Sequence, residues 1–147
     1  MALAKEDFVT WSDRYNVGIS FMDEQHRKII DIANDLHKGI FALENESAEK
    51  SKGESFKAGI RAAVDYVKEH LSIEEEMMRS IDYPQYTEHK KAHEEFIRRV
   101  LQDAARFEAG DRRVGMQFVY FLRDWLLEHI AVVDKGLALY ARSKGKS

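Results

Sequence analysis

Histidine sets this sequence apart. Of its six histidines, His26, His70, His89, His93 and His129 fall on apolar stripes whose members are three and four residues apart. That repeat belongs to helices with one buried face. A single histidine on such a stripe is ordinarily a core residue with its ring nitrogens satisfied by neighbours. Five, spread over four separate stripes, call for a shared partner. His70 and Glu74 are four apart, as are His89 and His93. At about 100° per residue, each pair points to one side of a helix, one turn apart. Two ligands on one helix can then reach one metal ion or two adjacent ones. Imidazole with carboxylate suits iron, zinc, copper or manganese, and a chain with no cysteine has no thiolate for a structural zinc knot.

Other chemistries fail on specific residues. His89-Lys90-Lys91-Ala92-His93 lacks the glutamate beside its first histidine that a zinc protease uses as base. Ferritin-like Glu-x-x-His pairs are missing, because Val67, Tyr86 and Leu126 stand three before His70, His89 and His129. No glycine-rich phosphate loop and no Gly-x-Ser-x-Gly elbow occur. The chain is expected not to be an enzyme.

Positioning these groups needs long helices. With 44% hydrophobic and 33% charged residues, the 147-residue chain can bury one core of its own. Its net charge of −3 speaks against nucleic acid and anionic membranes as partners. Met1 to Asp13 carries Lys5, Glu6 and Asp7 and no apolar core of a signal peptide. No run approaches the roughly 18 apolar residues of a membrane span. A cytoplasmic location and a monomer or weak oligomer are the expectation.

The fold expected is all-α: an antiparallel up-down-up-down four-helix bundle, one domain over 1–147, with an N-terminal arm (1–19) and the bundle over 20–143. In the arm, Phe8, Trp11, Tyr15 and Val17 are irregularly spaced, Gly18 closes the segment, and the large aromatics should fill a gap in the core. The first helix should open near Ser20, which can cap it, with Asp23 in its first turn. Its stripe runs Met22, His26, Ile29, Ile30, Ala33, Leu36, Ile40. The polar stretch Glu44 to Ser55 reads as the longest loop, longer than the family named below would need. The second stripe runs Ile60, Ala63, Val64, Val67, His70, Leu71, Glu74, Met77, Met78. After a turn at Ser80–Tyr86, with Pro84 in the first turn of the next helix, the third runs His89, His93, Phe96, Ile97, Val100, Leu101, Ala104. Gly110 should end it and Asp111 cap the fourth, which runs Val114, Phe118, Phe121, Leu122, Trp125, Leu126, His129, Val132.

Five segments together resemble the hemerythrins, most nearly the single-domain bacterial ones: WSDRYNVGI from Trp11, DEQH ending at His26, HLSIEE from His70, YPQYTEHKKAHEEF from Tyr83 and WLLEHIAVVD ending at Asp134. The likeness spans about residues 8–140. It implies reversible dioxygen binding at a non-haem site of two iron ions, oxo- or hydroxo-bridged. His89, His93 and His129 would hold one iron in a full shell. His26 and His70 would hold the other, which keeps an open position for dioxygen. Glu74 and Asp134 would bridge both. The site's net charge would then be the same with and without the gas, which suits a dry pocket where uncompensated charge is costly. Pocket walls would be Ile29, Ile30, Leu71, Trp125, Leu126 and Ile130, one turn from the ligands. Storage, sensing and delivery to an oxygen-consuming enzyme all fit; the alternative is a di-iron enzyme reducing peroxide or nitric oxide.

Some residues stand apart. His129 and Asp134 are five apart, roughly 140° around an ideal helix, so the fourth helix should widen or end between them, and Gly136 fits a break. His37 lies about 16 Å along the axis from His26 and is read as packing. Glu75 and Glu76 are read as solvated acids, and Met77 and Met78 as core filler. Leu71 and Leu137 occupy positions where the family often has an aromatic residue and a tyrosine.

Overall fold

The structure, a computed structural model, describes residues 8–45 and 50–147. It is an antiparallel four-helix bundle. Helices α1 (Ser20–Asn45), α2 (Lys50–Ser80), α3 (Tyr86–Glu108) and α4 (Arg113–Glu128) follow in chain order, and a π-helical segment (His129–Asp134) and α5 (Lys135–Ser143) continue α4 as one rod. Contacts run α1–α2–α3–α4 and back to α1, so sequence neighbours are neighbours in space. No helix among the described residues is long and apolar enough to cross a membrane.

The bundle's ends explain where the helices start and stop. At the start of α1 the Asp23 carboxylate accepts the backbone N–H groups of Val17 (2.8 Å) and Gly18 (3.1 Å). The Ile19 carbonyl accepts from Asp23 N–H, so Ile19, and not Ser20, holds the cap position. Gly18 takes φ +87°, and a Cβ there would lie 2.9 Å from the Arg142 guanidinium, so the arm needs glycine at this corner.

Helices α2 and α3 close in the same manner. Tyr83 N–H bonds the Met78 carbonyl and Asp82 N–H that of Arg79; Asp111 N–H bonds the Arg106 carbonyl and Gly110 N–H that of Phe107. Both corners are Schellman motifs, with Asp82 (φ 50°) and Gly110 (φ 108°) in the left-handed position. Pro84 therefore sits in the turn ahead of α3 rather than in its first helical turn. The Asp111 side chain does not cap α4. Its carboxylate takes Arg106 Nη2 at 3.3 Å, and only its carbonyl receives Val114 N–H.

Three other expectations need correction. The polar stretch 44–55 is largely helical, since α1 reaches Asn45 and α2 starts at Lys50; residues 46–49 lie outside the described residues. Glu and Lys are strong helix formers, and Glu54 and Ser55 lie exposed on the surface of α2. Leu101 is 45% exposed: the buried stripe of α3 passes through Phe96, Val100, Asp103 and Phe107, and Leu101 lies one residue beyond its edge. Val132 is 65% exposed because the π-helical segment turns it away from the core.

Of the arm's aromatic residues only Tyr15 is fully buried, while Phe8 and Trp11 lie half-buried against the core. Phe8 stacks on His37 with ring centroids 4.1 Å apart, which accounts for His37 as packing. The arm is fastened by Asn34, whose Oδ1 accepts Val9 N–H (2.7 Å) and whose Nδ2 donates to the Val9 carbonyl (2.9 Å). Replacing Asn34 by Ala leaves both buried backbone groups of Val9 without partners, and the expected cost is about 1–3 kcal/mol. Thermal unfolding measures this, and faster proteolysis within the arm should accompany it.

Candidate metal centre

Halfway along the bundle, all four rods place one or two polar side chains on their buried stripes. His26 comes from α1, His70 and Glu74 from α2, His89 and His93 from α3, and His129 and Asp134 from the π-helical segment. Each of the seven is at most 5% exposed. The π turn is what brings the last pair together. Its i→i+5 repeat returns residue 134 to the side of residue 129, which a regular α-helix would not do. The local sequence HIAVVD favours this, because Ile130, Val132 and Val133 are β-branched and indifferent α-formers. The rod does not break: α5 continues directly from Lys135 through Gly136.

The carboxylates divide their oxygens between two sets of imidazoles. Glu74 Oε2 lies 2.9 Å from His70 Nε2 and 3.4 Å from His26 Nε2, whereas Oε1 lies 3.4 and 3.5 Å from Nε2 of His93 and His89. Asp134 Oδ2 lies 3.0 Å from His26 Nε2, whereas Oδ1 lies 3.1 and 3.2 Å from Nε2 of His129 and His89. Two ligand groups result: Glu74, His89, His93, His129 and Asp134 form one, and His26, His70, Glu74 and Asp134 the other.

These short approaches are largely not hydrogen bonds. Glu74 Oε1, both Asp134 oxygens and His70 Nε2 are buried without a hydrogen-bond partner, although His70 Nε2 is 2.9 Å from Glu74 Oε2. The groups are close but aimed past one another, at common points between them. Lone pairs converging in this way, with hard oxygen and imidazole donors, fit divalent or trivalent transition-metal ions. Spacing agrees too. Nε2 of His129 is 3.2 Å from that of His89 and 3.1 Å from that of His93. Ligands at right angles on a metal with bonds of about 2.1 Å would be about 3.0 Å apart.

Electrostatics of the metal-free cluster follow from crowding. Burial pulls the His26 and His89 pKa values down, but the close Asp134 and Glu74 carboxylates outweigh it and push both up to about 9. Burial raises Glu74, but the charge interaction with His70 and the nearby His26 and His89 imidazoles win, holding it well below the usual carboxylate range. Asp134 is likewise held low by His129 and His26, against burial and the Glu74 charge.

Two supporting groups went unread in the sequence. His93 Nδ1 lies 3.0 Å from Glu75 Oε2, and His70 Nδ1 lies 2.6 Å from Gln25 Oε1. Glu75 is thus a partner of His93, with its side chain only 18% exposed, and not a free solvated acid. A signal existed. Each lies one residue beside an inward side chain, Gln25 beside His26 and Glu75 beside Glu74, and so about 100° further round the helix. That rotation faces the next helix of the square. Of the six expected pocket residues, Ile29, Ile30, Leu71, Leu126 and Ile130 are buried in the main core, and half-buried Trp125 stacks on His129.

A family model described as the hemerythrin HHE cation binding domain matches residues 17–140. The chain belongs to the hemerythrin family. Among its hemerythrin relatives, the bacteriohemerythrin of Stenotrophomonas maltophilia is 35% identical over 130 residues, covering 88% of this chain and 79% of the relative. That of Methylococcus capsulatus is 31% identical over 128 residues, covering 86% and 92%. Among solved structures, a wild-type hemerythrin superposes with a TM-score of 0.79 at 28% identity, covering 91% of this chain and 98% of that one.

Two outcomes test the site. Glu75→Gln replaces a charge-assisted bond to His93 by a neutral one, and a 10–100-fold loss of metal affinity is expected; competition against a chelator measures it. Metal must also displace protons from His26 and His89. Their folded pKa of about 9 exceeds the ordinary 6.5, so their stabilisation of the metal-free protein is complete below pH 6.5 and fades as pH rises through 9. Proton release on loading, followed with an indicator dye, should accordingly be large at pH 7 and decline towards pH 10.

Proposed function

We propose that this protein binds dioxygen reversibly at a pair of iron ions, as a carrier that stores, delivers or reports the gas. The division of each carboxylate between two imidazole sets carries the reading, because it is the arrangement two adjacent ions need. His89, His93 and His129 would hold one ion and His26 and His70 the other, with Glu74 and Asp134 shared. The second ion has one imidazole fewer, which leaves room for a ligand. Two irons, when bound, supply the two electrons that dioxygen takes up and gives back.

The chain's own residues do the rest. The two carboxylates offset half the positive charge of a ferrous pair and the five neutral imidazoles add none, so the centre can lie in an apolar interior. Glu75 and Gln25 fix the ring orientations of His93 and His70 and set their tautomers. Ile29, Ile30, Leu71, Leu126 and Ile130, with Trp125, would form the walls that keep water out. Five of these six wall residues are saturated and apolar and offer no proton donor to a bound substrate, which favours a carrier over an enzyme reducing peroxide or nitric oxide.

The test is direct. The iron-loaded protein, reduced without oxygen and then exposed to it, should develop visible charge-transfer bands that vanish under vacuum and return, with two irons per chain. One iron per chain, or bleaching with rapid peroxide turnover, would defeat the reading.

A further inference from the structure

An iron pair oxidised irreversibly inside the bundle would have to be re-reduced from outside, through groups that link its ligands to the surface. His93 reaches one open groove, beside Lys68 and Glu75, and a second side of the cluster is aromatic. The Trp125 ring lies parallel to the His129 imidazole, centroids 4.2 Å apart at 14°. Its other neighbour is Phe96, at 3.8 Å and 16°, and Phe96 lies 5.8 Å and 24° from Phe121. Trp125, Phe96 and Phe121 also line an open groove of about 460 Å³ between α3 and α4, together with Arg98, Arg99 and Gln102. The Arg99 guanidinium sits 4.3 Å above the Phe121 ring. One half-buried indole therefore touches a metal-site imidazole and a solvent-facing groove at once.

We propose that Trp125 is the electron port of the iron pair: a one-electron donor such as a reduced flavin, meeting the protein at the α3–α4 groove, returns the oxidised pair to its gas-binding state through the Trp125–His129 stack. This rests on the two-iron reading above. Two donors are each oxidised by one electron and two ferric ions become ferrous. One solvent proton goes to the bridging oxygen, and no bond to the protein forms or breaks. Packing alone would demand an apolar side chain at 125; it would not demand a ring parallel to His129.

The chain has no cysteine, so a single introduced thiol can carry a tethered ruthenium(II) polypyridyl photoreductant. Gln102→Cys puts the label at the groove, and Leu139→Cys puts it on 61%-exposed Leu139 of α5, away from the stack. Electron arrival is read as flash-induced loss of ferric absorbance in the iron-loaded protein. Trp125→Leu should slow injection from position 102 at least tenfold while changing that from 139 less than twofold, and Trp125→Phe should restore at least a third of the rate. Should Trp125→Leu fail to load iron, Trp125→Met, which keeps apolar bulk without a ring, replaces it. Unchanged rates from 102, or equal slowing from both labels, overturn the proposal. If neither label reduces the parent protein and the iron count is not two, the two-iron reading falls instead.

Discussion

Two carboxylates buried among five imidazoles are the constraint on which the bundle turns. A lone carboxylate in an apolar core is costly, and Glu74 and Asp134 are both essentially without solvent. They are tolerated because each faces imidazoles through both oxygens, and their charges push the pKa values of His26 and His89 up to about 9. The cluster is thus a network of charges in mutual balance. Every rod contributes to it, so no helix can slide or rotate without breaking a contact at the centre. Apolar layers on either side, around Ile40, Phe56 and Phe118 towards one end and Met22, Met78 and Leu137 towards the other, complete the core.

The π turn is where local preference yields to this demand. Regular α-helical geometry would direct either His129 or Asp134 away from the cluster. One extra residue per turn brings both inward, and the residue turned out is Val132, a large apolar side chain left exposed. Such a side chain in water is a small penalty beside an unpartnered buried charge. Residues 13–15 of the arm pack against this same segment, and Tyr15 enters the core there.

Most of the architecture was legible because it is periodic. Residues at intervals of three and four, from Met22 to Ile40 and from Ile60 to Met78, are all buried, and the mismatch between His129 and Asp134 pointed to the widened turn. What escaped reading depends on partners distant in sequence or on geometry at helix ends. Polarity in 44–55 suggests a loop, although a helix rich in Glu, Lys and Ser has the same composition. Leu101 and Val132 are apolar, yet hydrophobicity alone does not say how far a stripe extends once a helix drifts or widens. Asp111 suits a cap by type but bonds Arg106 instead. Glu75 looked like a surface acid because its partner, His93, arrives from another helix.

The order of the ligands along the chain has a consequence for biogenesis. His26, His70, Glu74, His89 and His93 precede the whole of α4, and the remaining two follow it. A nascent chain on the ribosome can form α1 to α3 with an open, three-walled trough that lacks one of its two shared carboxylates. Both candidate ligand groups include Asp134, so neither is complete until the final rod has been released and has closed the square. Any ion held by these groups would be taken up only after that last closure.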